Sequence, residues 1–93
     1  MNLKELKLAY TNRAIMIFES LAKKAYSIET ITDQFIFFYS VILANNKDIA
    51  LTFDEFIDLL DEEDNLQYLS NWLTNEIKIR SQFVDEKKKI QQL

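Results

Sequence analysis

The chain contains neither glycine nor proline in its 93 residues. The tight turns that join antiparallel strands favour glycine or asparagine at left-handed positions, and many other turns begin with proline. A sheet rich in hairpins is therefore an unfavourable fold for this sequence. Helices bounded by Asn, Asp, Ser and Thr suit it better, because these side chains cap helix termini.

Length and composition fit one small domain without an active site. The 93 residues are 48% hydrophobic and include seven Phe, four Tyr and one Trp, which can fill a modest core spanning residues 1–93. Cysteine and histidine are both absent, so the chain offers no disulfide, no thiolate nucleophile and no imidazole base. We therefore expect a protein that is not an enzyme and that binds no metal and no cofactor.

Negative charge is concentrated in one segment. Residues 48–64 contain eight acidic residues and no Lys or Arg, whereas the segments on either side each carry a net charge of +2. Binding to nucleic acid needs a basic face, so we expect no nucleic acid partner. The acidic segment permits a basic protein partner, or contact with the chain's own basic segments.

The longest apolar run, Phe35–Tyr39, is followed by Ser40 and then by Val41–Ala44. This stretch is too short, and too polar at its flanks, to span a bilayer. Met1–Tyr10 lacks the apolar run and the small-residue cleavage site of a signal peptide. We expect a cytoplasmic protein without membrane contact, and the lack of cysteine fits a reducing compartment.

Two helices are predicted in the first half of the chain, over Asn12–Lys24 and Asp33–Ala44. The second is apolar on nearly all sides, which is typical of the buried centre of a domain. Asn45 and Asn46 are expected to take the left-handed conformation that ends a helix where glycine is missing. The side chains expected to cap the first three helices are Thr11, Thr30 and Thr52.

The segment Met1–Tyr10 has two interpretations. Asn2 followed by Glu5 fits the capping box that begins a helix. Leu6–Tyr10, in contrast, alternates larger apolar residues with Lys and Ala, as a short strand does. The residues leave a helix and a strand or extended arm both open.

A third helix is predicted within Leu51–Asp64, where Thr52 and Glu55 form a complete capping box. The four carboxylates of Asp61–Asp64 crowd its C-terminal end, where negative charge is unfavourable. Either the helix stops near Asp61, or these carboxylates serve another purpose. The simplest such purpose is that Asp61 or Asp64 caps the next helix, and a partner contact is another. The residues expected to face the core are Phe53, Phe56, Ile57 and Leu60.

The acidic segment was compared with a calcium-binding loop. Asp61, Glu63 and Asn65 match the first three ligand positions of such a loop. The position that needs glycine holds Leu66, and the position of the final bidentate glutamate holds Trp72. The match fails at both the turn and the last ligand, so no calcium site is predicted.

The last helix is predicted from Asn65 to the C-terminus, and it carries two apolar stripes. Two stripes are more than one buried face needs, which indicates either a nearly enclosed helix or a tail that packs on another chain. We favour the second alternative, self-association or binding of a protein partner. The stripe assigned to the core is Leu66, Leu69, Leu73, Ile77 and Val84, and the second stripe is Tyr68, Trp72, Ile79, Phe83 and Ile90. The residues predicted to bind a partner are Tyr68, Trp72, Ile79, Phe83, Asp61, Glu62, Glu63 and Asp64.

Two segments resemble the small tail assembly chaperones of long-tailed bacteriophages and prophages. They are Thr11–Glu19 (TNRAIMIFE) and the capped acidic helix Leu51–Glu63 (LTFDEFIDLLDEE). The alternating Leu6–Tyr10 is similar to the strand that precedes the first helix in that family, and the resemblance covers about residues 5–72. The chain departs from many members in having Lys23–Ala25 where they carry a glycine.

The resemblance implies a non-enzymatic role in the cytoplasm of a bacterial host. Proteins of that family are thought to coat the tape measure protein and to recruit tail tube subunits, and they are absent from the finished particle. The alternative from the residues is a small acidic helical adaptor or regulatory module, such as an anti-repressor or a mimic of nucleic acid. That alternative rests on the charge of −8 in residues 48–64.

Overall fold

Four α-helices follow one another along the chain: α1 (Asn12–Ala22), α2 (Ile31–Asn45), α3 (Phe53–Leu60) and α4 (Asn65–Gln91). The structure is a computed structural model that describes the backbone of residues 1–91 and the side chains of residues 1–80. No β-strand occurs in residues 1–91. The prediction of an all-α bundle of about four helices is confirmed.

Threonine hydroxyls cap the first three helices. Thr11 Oγ1 accepts a hydrogen bond from the Ala14 N–H at 3.1 Å, and Thr30 Oγ1 accepts one from the Asp33 N–H at 3.0 Å. Thr52 begins α3 with a reciprocal capping box, in which the Glu55 carboxylate accepts from the Thr52 N–H at 3.1 Å. These caps satisfy backbone donors that have no partner inside the helix. All three predicted caps are confirmed.

The C-terminal ends of α1 and α2 differ from the predictions. α1 ends at Ala22, where Lys23 takes the left-handed conformation at φ 58° and donates its N–H to the Glu19 carbonyl at 2.9 Å. The expectation that Asn45 and Asn46 would be left-handed is wrong, because α2 includes Asn45 and Asn46 has a φ of −136°. Their amide groups are used in tertiary hydrogen bonds instead.

The helix α2 lies at the centre of the bundle, as predicted. Around Phe37, ring centroids of Tyr10, Phe18 and Tyr26 lie at 5.4, 6.3 and 5.4 Å. Buried aromatic rings supply large apolar areas and prefer the tilted and edge-on geometries seen here. The buried residues of α2 are Asp33, Phe37, Phe38, Tyr39, Ser40, Val41 and Ile42.

A second aromatic group joins α2 to α3. The ring of Tyr39 lies 5.4 Å from that of Phe53 and 5.6 Å from that of Phe56. The Tyr39 hydroxyl donates to the Leu51 carbonyl at 2.6 Å, just before α3. Burial, followed by the charge of Glu55, raises the pKa of Tyr39. The predicted core face of α3 is confirmed at Phe56 and Leu60, which are buried.

The N-terminal segment is a short 3₁₀ turn, Leu3–Glu5, followed by an irregular arm over residues 6–10. The Leu3 side chain is fully buried. The Asn46 side chain forms two hydrogen bonds with the backbone of Lys7 in the arm. Its Oδ1 accepts from the Lys7 N–H at 3.1 Å, and its Nδ2 donates to the Lys7 carbonyl at 3.0 Å. Asn45 Nδ2 donates to the Ala9 carbonyl at 3.0 Å. Side-chain amides thus take the place of a partner strand.

Arg80 fastens the arm to α4. Its guanidinium carbon lies 3.8 Å from the centre of the Tyr10 ring, and its Nη2 donates to the Tyr10 carbonyl at 3.0 Å. The Tyr10 hydroxyl in turn donates to the Tyr26 hydroxyl at 2.7 Å. Burial and this hydrogen bond raise the pKa of Tyr26 far above its usual range. The arm therefore links α4 to the aromatic group around Phe37.

The buried face of α4 lies between the two stripes assigned from the sequence. Leu69 and Leu73 are 0% and 3% exposed, as expected for the core stripe. The assignment of Leu66 and Ile77 to the core is wrong, since they are 38% and 50% exposed. At 100° per residue, the side chain of Leu66 points about 60° away from that of Leu69 around the helix axis, and the side chain of Ile77 points about 80° away. Val84 and Ile90 lie outside the described side chains.

A half-buried ion pair connects the end of α1 to the start of α2. Lys24 Nζ lies 2.6 Å from Asp33 Oδ2, and the same oxygen accepts from the N–H groups of Glu29 and Thr30 at 3.0 and 3.2 Å. The hydrogen bond from Lys24, and after it the one from Glu29, lowers the pKa of Asp33. The carboxylate therefore orders the loop that leads into α2.

Replacement of single leucines in α4 tests which face meets the core. We expect Leu69→Ala to lower the free energy of unfolding by about 2–5 kcal/mol, because it removes a fully buried side chain. The matched control Leu66→Ala should cost about 1 kcal/mol or less, because its side chain already contacts water. Urea denaturation measures both changes, and equal losses would contradict the orientation of α4.

Replacement of Asp33 tests the loop in front of α2. A carboxylate with a lowered pKa stabilises the fold fully above its unfolded pKa of about 3.9, and this contribution is lost as the pH falls through the folded value. We expect Asp33→Asn to be less stable than the parent at about pH 7, with the difference shrinking below about pH 4. Urea denaturation across this pH range measures the difference, with Asp58→Asn on the exposed face of α3 as the control. A difference that stayed constant in acid would contradict the role of this carboxylate.

Candidate protein-interaction surface

The predicted acidic residues Asp61–Asp64 form the turn between α3 and α4. The Asp61 N–H bonds to the carbonyls of Asp58 and Leu59, and the Glu62 N–H bonds to the Leu59 carbonyl at 3.1 Å. Glu63 is left-handed at φ 48°. The alternative in which the helix stops near Asp61 is therefore confirmed, and the backbone of the turn is arranged by its own hydrogen bonds.

Asp64 occupies the start of α4. Its carbonyl accepts from the Tyr68 N–H at 2.9 Å, while its carboxylate pairs with Lys4 Nζ at 2.7 Å. This hydrogen bond lowers the pKa of Asp64 and raises that of Lys4. Both side chains are well exposed, so the ion pair is expected to contribute little stability. Its effect is to hold the N-terminal turn beside α4.

Asn65 is the first residue of α4, as predicted, but its side chain was assigned no role beyond the failed match to a calcium loop. It is 5% exposed, and its Nδ2 donates to the Leu59 carbonyl at 2.7 Å. A buried polar side chain needs such a partner, because an unpaired group loses its hydration without compensation. In the sequence, the only indication of this role was that Asn65, a residue with a short polar side chain, follows an acidic run. Asn65 closes the α3–α4 corner and leaves the carboxylates of Asp61, Glu62 and Glu63 exposed.

The predicted apolar residues of α4 are not equivalent. Tyr68 and Trp72 are half-buried and pack against the core cluster. Ile79 is 52% exposed, beside the 50% exposed Ile77. The side chain of Phe83 lies outside the described residues. Of the apolar residues predicted to bind a partner, Ile79 is therefore exposed to solvent. Tyr68 and Trp72 are each partly buried in the core and partly exposed.

A shallow apolar depression lies where α1, α2 and α3 meet, and sequence reasoning did not find it. It is lined by Leu21, Ile36, Tyr39 and Phe53, and has a volume of about 290 Å³. Leu21 is 46% exposed, whereas Phe18, three residues earlier on α1, is fully buried. We call this depression the α1–α3 groove. Only the spacing of Leu21 relative to the buried Phe18 hinted at it, since the groove needs three elements that are distant in sequence.

A row of carboxylates lies on α3 and at its C-terminal end. Asp54, Asp58 and Asp61 are spaced i, i+4, i+7, which places them on one face of the helix. Asp54 and Asp58 directly follow Phe53 and Ile57, the half-buried residues of the apolar face. No Lys or Arg among residues 1–80 forms an ion pair with these three carboxylates. We call this row the acidic ridge.

The described part of the chain shows neither a cluster of metal ligands nor a helix that could cross a membrane. Within residues 1–80, no three acidic side chains are placed so that they could hold a metal ion. None of the described helices is both long enough and apolar enough to cross a bilayer.

Scans of protein-family models, curated proteins and solved structures find no match to this chain. Function must therefore be argued from the surface chemistry and from the resemblance of the helix motifs.

Two variants test how the α3–α4 corner is built. Asn65→Ala should lower the free energy of unfolding by about 0.5–1.5 kcal/mol, because it removes the hydrogen bond from Asn65 Nδ2 to the Leu59 carbonyl, which keeps the Glu62 N–H as a donor. The triple variant Asp61→Asn/Glu62→Gln/Glu63→Gln should stay within about 0.5 kcal/mol of the parent, because these side chains are exposed. Thermal and urea denaturation measure both. A large loss in the triple variant would show that the carboxylates themselves build the turn.

Proposed function

We propose that this chain is a non-enzymatic tail assembly chaperone that binds apolar helical segments of a tape measure protein. The observation that carries the proposal is the apolar α1–α3 groove, on a domain whose acidic ridge has no cationic partner in residues 1–80. A surface of this kind buries apolar residues of a partner and keeps the complex dissolved. The resemblance of Thr11–Glu19 and Leu51–Glu63 to tail assembly chaperones supplies the identity of the partner.

Exposed apolar side chains outside the groove support the same role. A long partner that aggregates through its helices needs to be covered along its length, and one groove covers only a short part of it. Single exposed apolar residues are normal on soluble proteins, so the groove carries the argument and these residues extend it. The exposed apolar residues of the described helices outside the groove are Met16, Ile31, Leu66, Ile77 and Ile79.

Recruitment of tail tube subunits, in the cytoplasm of a bacterial host, is the second part of the proposed role. A chaperone that leaves the finished particle has to release the tape measure protein when tube subunits polymerise around it. Release is easier from a shallow surface than from an enclosed pocket, because fewer partner side chains are fully desolvated. The groove is open in this sense, since its lining includes the 46% exposed Leu21.

The acidic ridge also favours a second candidate, a small acidic adaptor or regulatory protein. Such a module would hold a basic partner mainly through charge, and added salt would weaken that complex strongly. A chaperone complex based on apolar contact should keep most of its affinity as salt rises, because apolar burial is not screened.

Co-expression tests the chaperone proposal. We expect the tape measure protein encoded beside this chain to be more soluble in its presence and to co-purify with it, because its apolar helices become covered. The measurement is the soluble fraction of the tape measure protein with and without the chain, followed by affinity purification at low and high salt.

The matched control is the chain with Leu69→Ala, which weakens the fold by removing a core side chain and should reduce the rescue of solubility. No change in tape measure solubility and no co-purification at either salt concentration would overturn the proposal. Co-purification that disappears at high salt would favour the acidic adaptor.

A further inference from the structure

We infer that the N-terminal segment, the 3₁₀ turn and the arm together, occupies a binding site for an extended peptide, and that an unstructured segment of a partner protein takes its place there. The partner segment needs apolar residues at alternate positions and a basic residue next to its first apolar anchor. The inference goes beyond the proposed function, since it concerns a second site and an extended rather than a helical ligand.

Side chains of α2 and α4 recognise the backbone of the arm. Asn46 Oδ1 accepts from the Lys7 N–H at 3.1 Å, and its Nδ2 donates to the Lys7 carbonyl at 3.0 Å. Asn45 Nδ2 and Arg80 Nη2 donate to two further carbonyls of the arm, each at 3.0 Å. Because every residue carries a backbone carbonyl, these contacts fit any extended segment that brings its N–H and C=O groups to the same places.

The side chains of the arm alternate between the core and solvent. Leu6, Leu8 and Tyr10 pack against the core cluster, whereas Lys7 is exposed. Leu3, in the turn before the arm, is fully buried and anchors the segment. An extended peptide ligand is held in the same way, since its main-chain hydrogen bonds give affinity and pockets for alternate side chains give specificity. The N-terminal segment therefore shows which chemistry the site accepts.

An ion pair selects the charge of the segment. Lys4 Nζ lies 2.7 Å from Asp64 Oδ1, directly after the Leu3 anchor in sequence. The hydrogen bond to Asp64 raises the pKa of Lys4, with a smaller contribution from the charge of Glu63. Both partners of the pair are well exposed, so the pair favours a basic residue at this position more than it adds affinity.

The N-terminal segment can leave the site while the four helices stay folded. Within the described residues, no backbone–backbone hydrogen bond joins residues 1–10 to the helices. The cap of α1 is supplied by Thr11, which lies outside the segment. Chain termini are the first parts of a domain to open unless they are tied down, and the ties here are side-chain contacts.

A different protein fits the site better than a second copy of this chain does. In a second copy the same segment is already bound within its own chain, so an exchange between copies replaces each contact by an identical one. Such an exchange gains no contact energy and loses the independent motion of one molecule. A free segment of another protein has no contacts of this kind to give up.

Peptide binding to the full chain tests the site. The probe is a fluorescent peptide with the sequence of residues 2–10, blocked at both ends, and the measurement is fluorescence anisotropy. We expect at least about tenfold tighter binding to the Leu3→Ser chain than to the parent, because its weakened segment leaves the site open more often. Leu8→Ser, at a half-buried position of the arm, should give about threefold tighter binding for the same reason. A purely structural role would not make binding stronger when the residue is replaced.

Methylation of single nitrogens in the peptide locates the contact with Asn46. A methyl group on the nitrogen of the peptide's Lys7 removes the donor to Asn46 Oδ1 and should weaken binding to the Leu3→Ser chain at least about tenfold. The matched control is a methyl group on the next nitrogen, that of Leu8. Successive residues of an extended chain face opposite sides, so this change should have a much smaller effect. These changes alter the ligand and leave the protein as it is.

Three results would overturn the inference. The first is equal binding, or no binding, of the peptide to the parent and to the variants, and Leu8→Ser decides this if circular dichroism shows that Leu3→Ser is unfolded. The second is an equal loss from methylation at the two nitrogens. The third is a parent chain that sediments as a dimer and is dissociated by the peptide, because the occupant would then be a second copy. The tape measure protein takes no part in these measurements, so their outcome is independent of the proposed function.

Discussion

The enclosure of α2 is the interaction on which the other elements depend. Phe37 contacts the rings of Tyr10 from the arm, Phe18 from α1 and Tyr26 from the loop between the helices. Farther along the same helix, Tyr39 meets the two phenylalanines of α3. Burial of these rings is the main favourable term for a domain of this size. The surrounding elements turn apolar residues towards α2 and carry exposed polar residues on their outer faces, and the acidic ridge is one example.

The absence of glycine and proline makes the helix termini depend on side chains. The three threonine caps were predictable because Thr before an apolar helical pattern is a local signal for a helix start, and for Thr30 and Thr52 an acidic residue three positions on strengthens it. The burial of α2 was predictable for the same reason, since a helix that is apolar on all sides has no other stable place. These features follow from residues that are close in sequence.

Features that depend on distant residues were not predictable. The orientation of α4 is set by packing and by the contact of Arg80 with Tyr10, which are 70 positions apart, so the sequence could indicate two stripes but not which face is buried. The arm is held by the side chains of Asn45 and Asn46, and alternation in Leu6–Tyr10 fits such an arm as well as a strand. The α1–α3 groove joins three helices and has no local pattern. The acidic turn was visible, whereas the role of Asn65 within it was not.

The central claim is the proposal that the α1–α3 groove binds an apolar helix of a partner, and amide hydrogen exchange of the chain mixed with a tape measure protein tests it most directly. The account predicts slower exchange, relative to the free chain, in the last turn of α1 around Leu21 and in α3 from Phe53 to Asp61. Exchange near Met16 should not change. Slower exchange confined to α4 around Ile77 and Ile79, with α1 and α3 unaffected, would contradict the account.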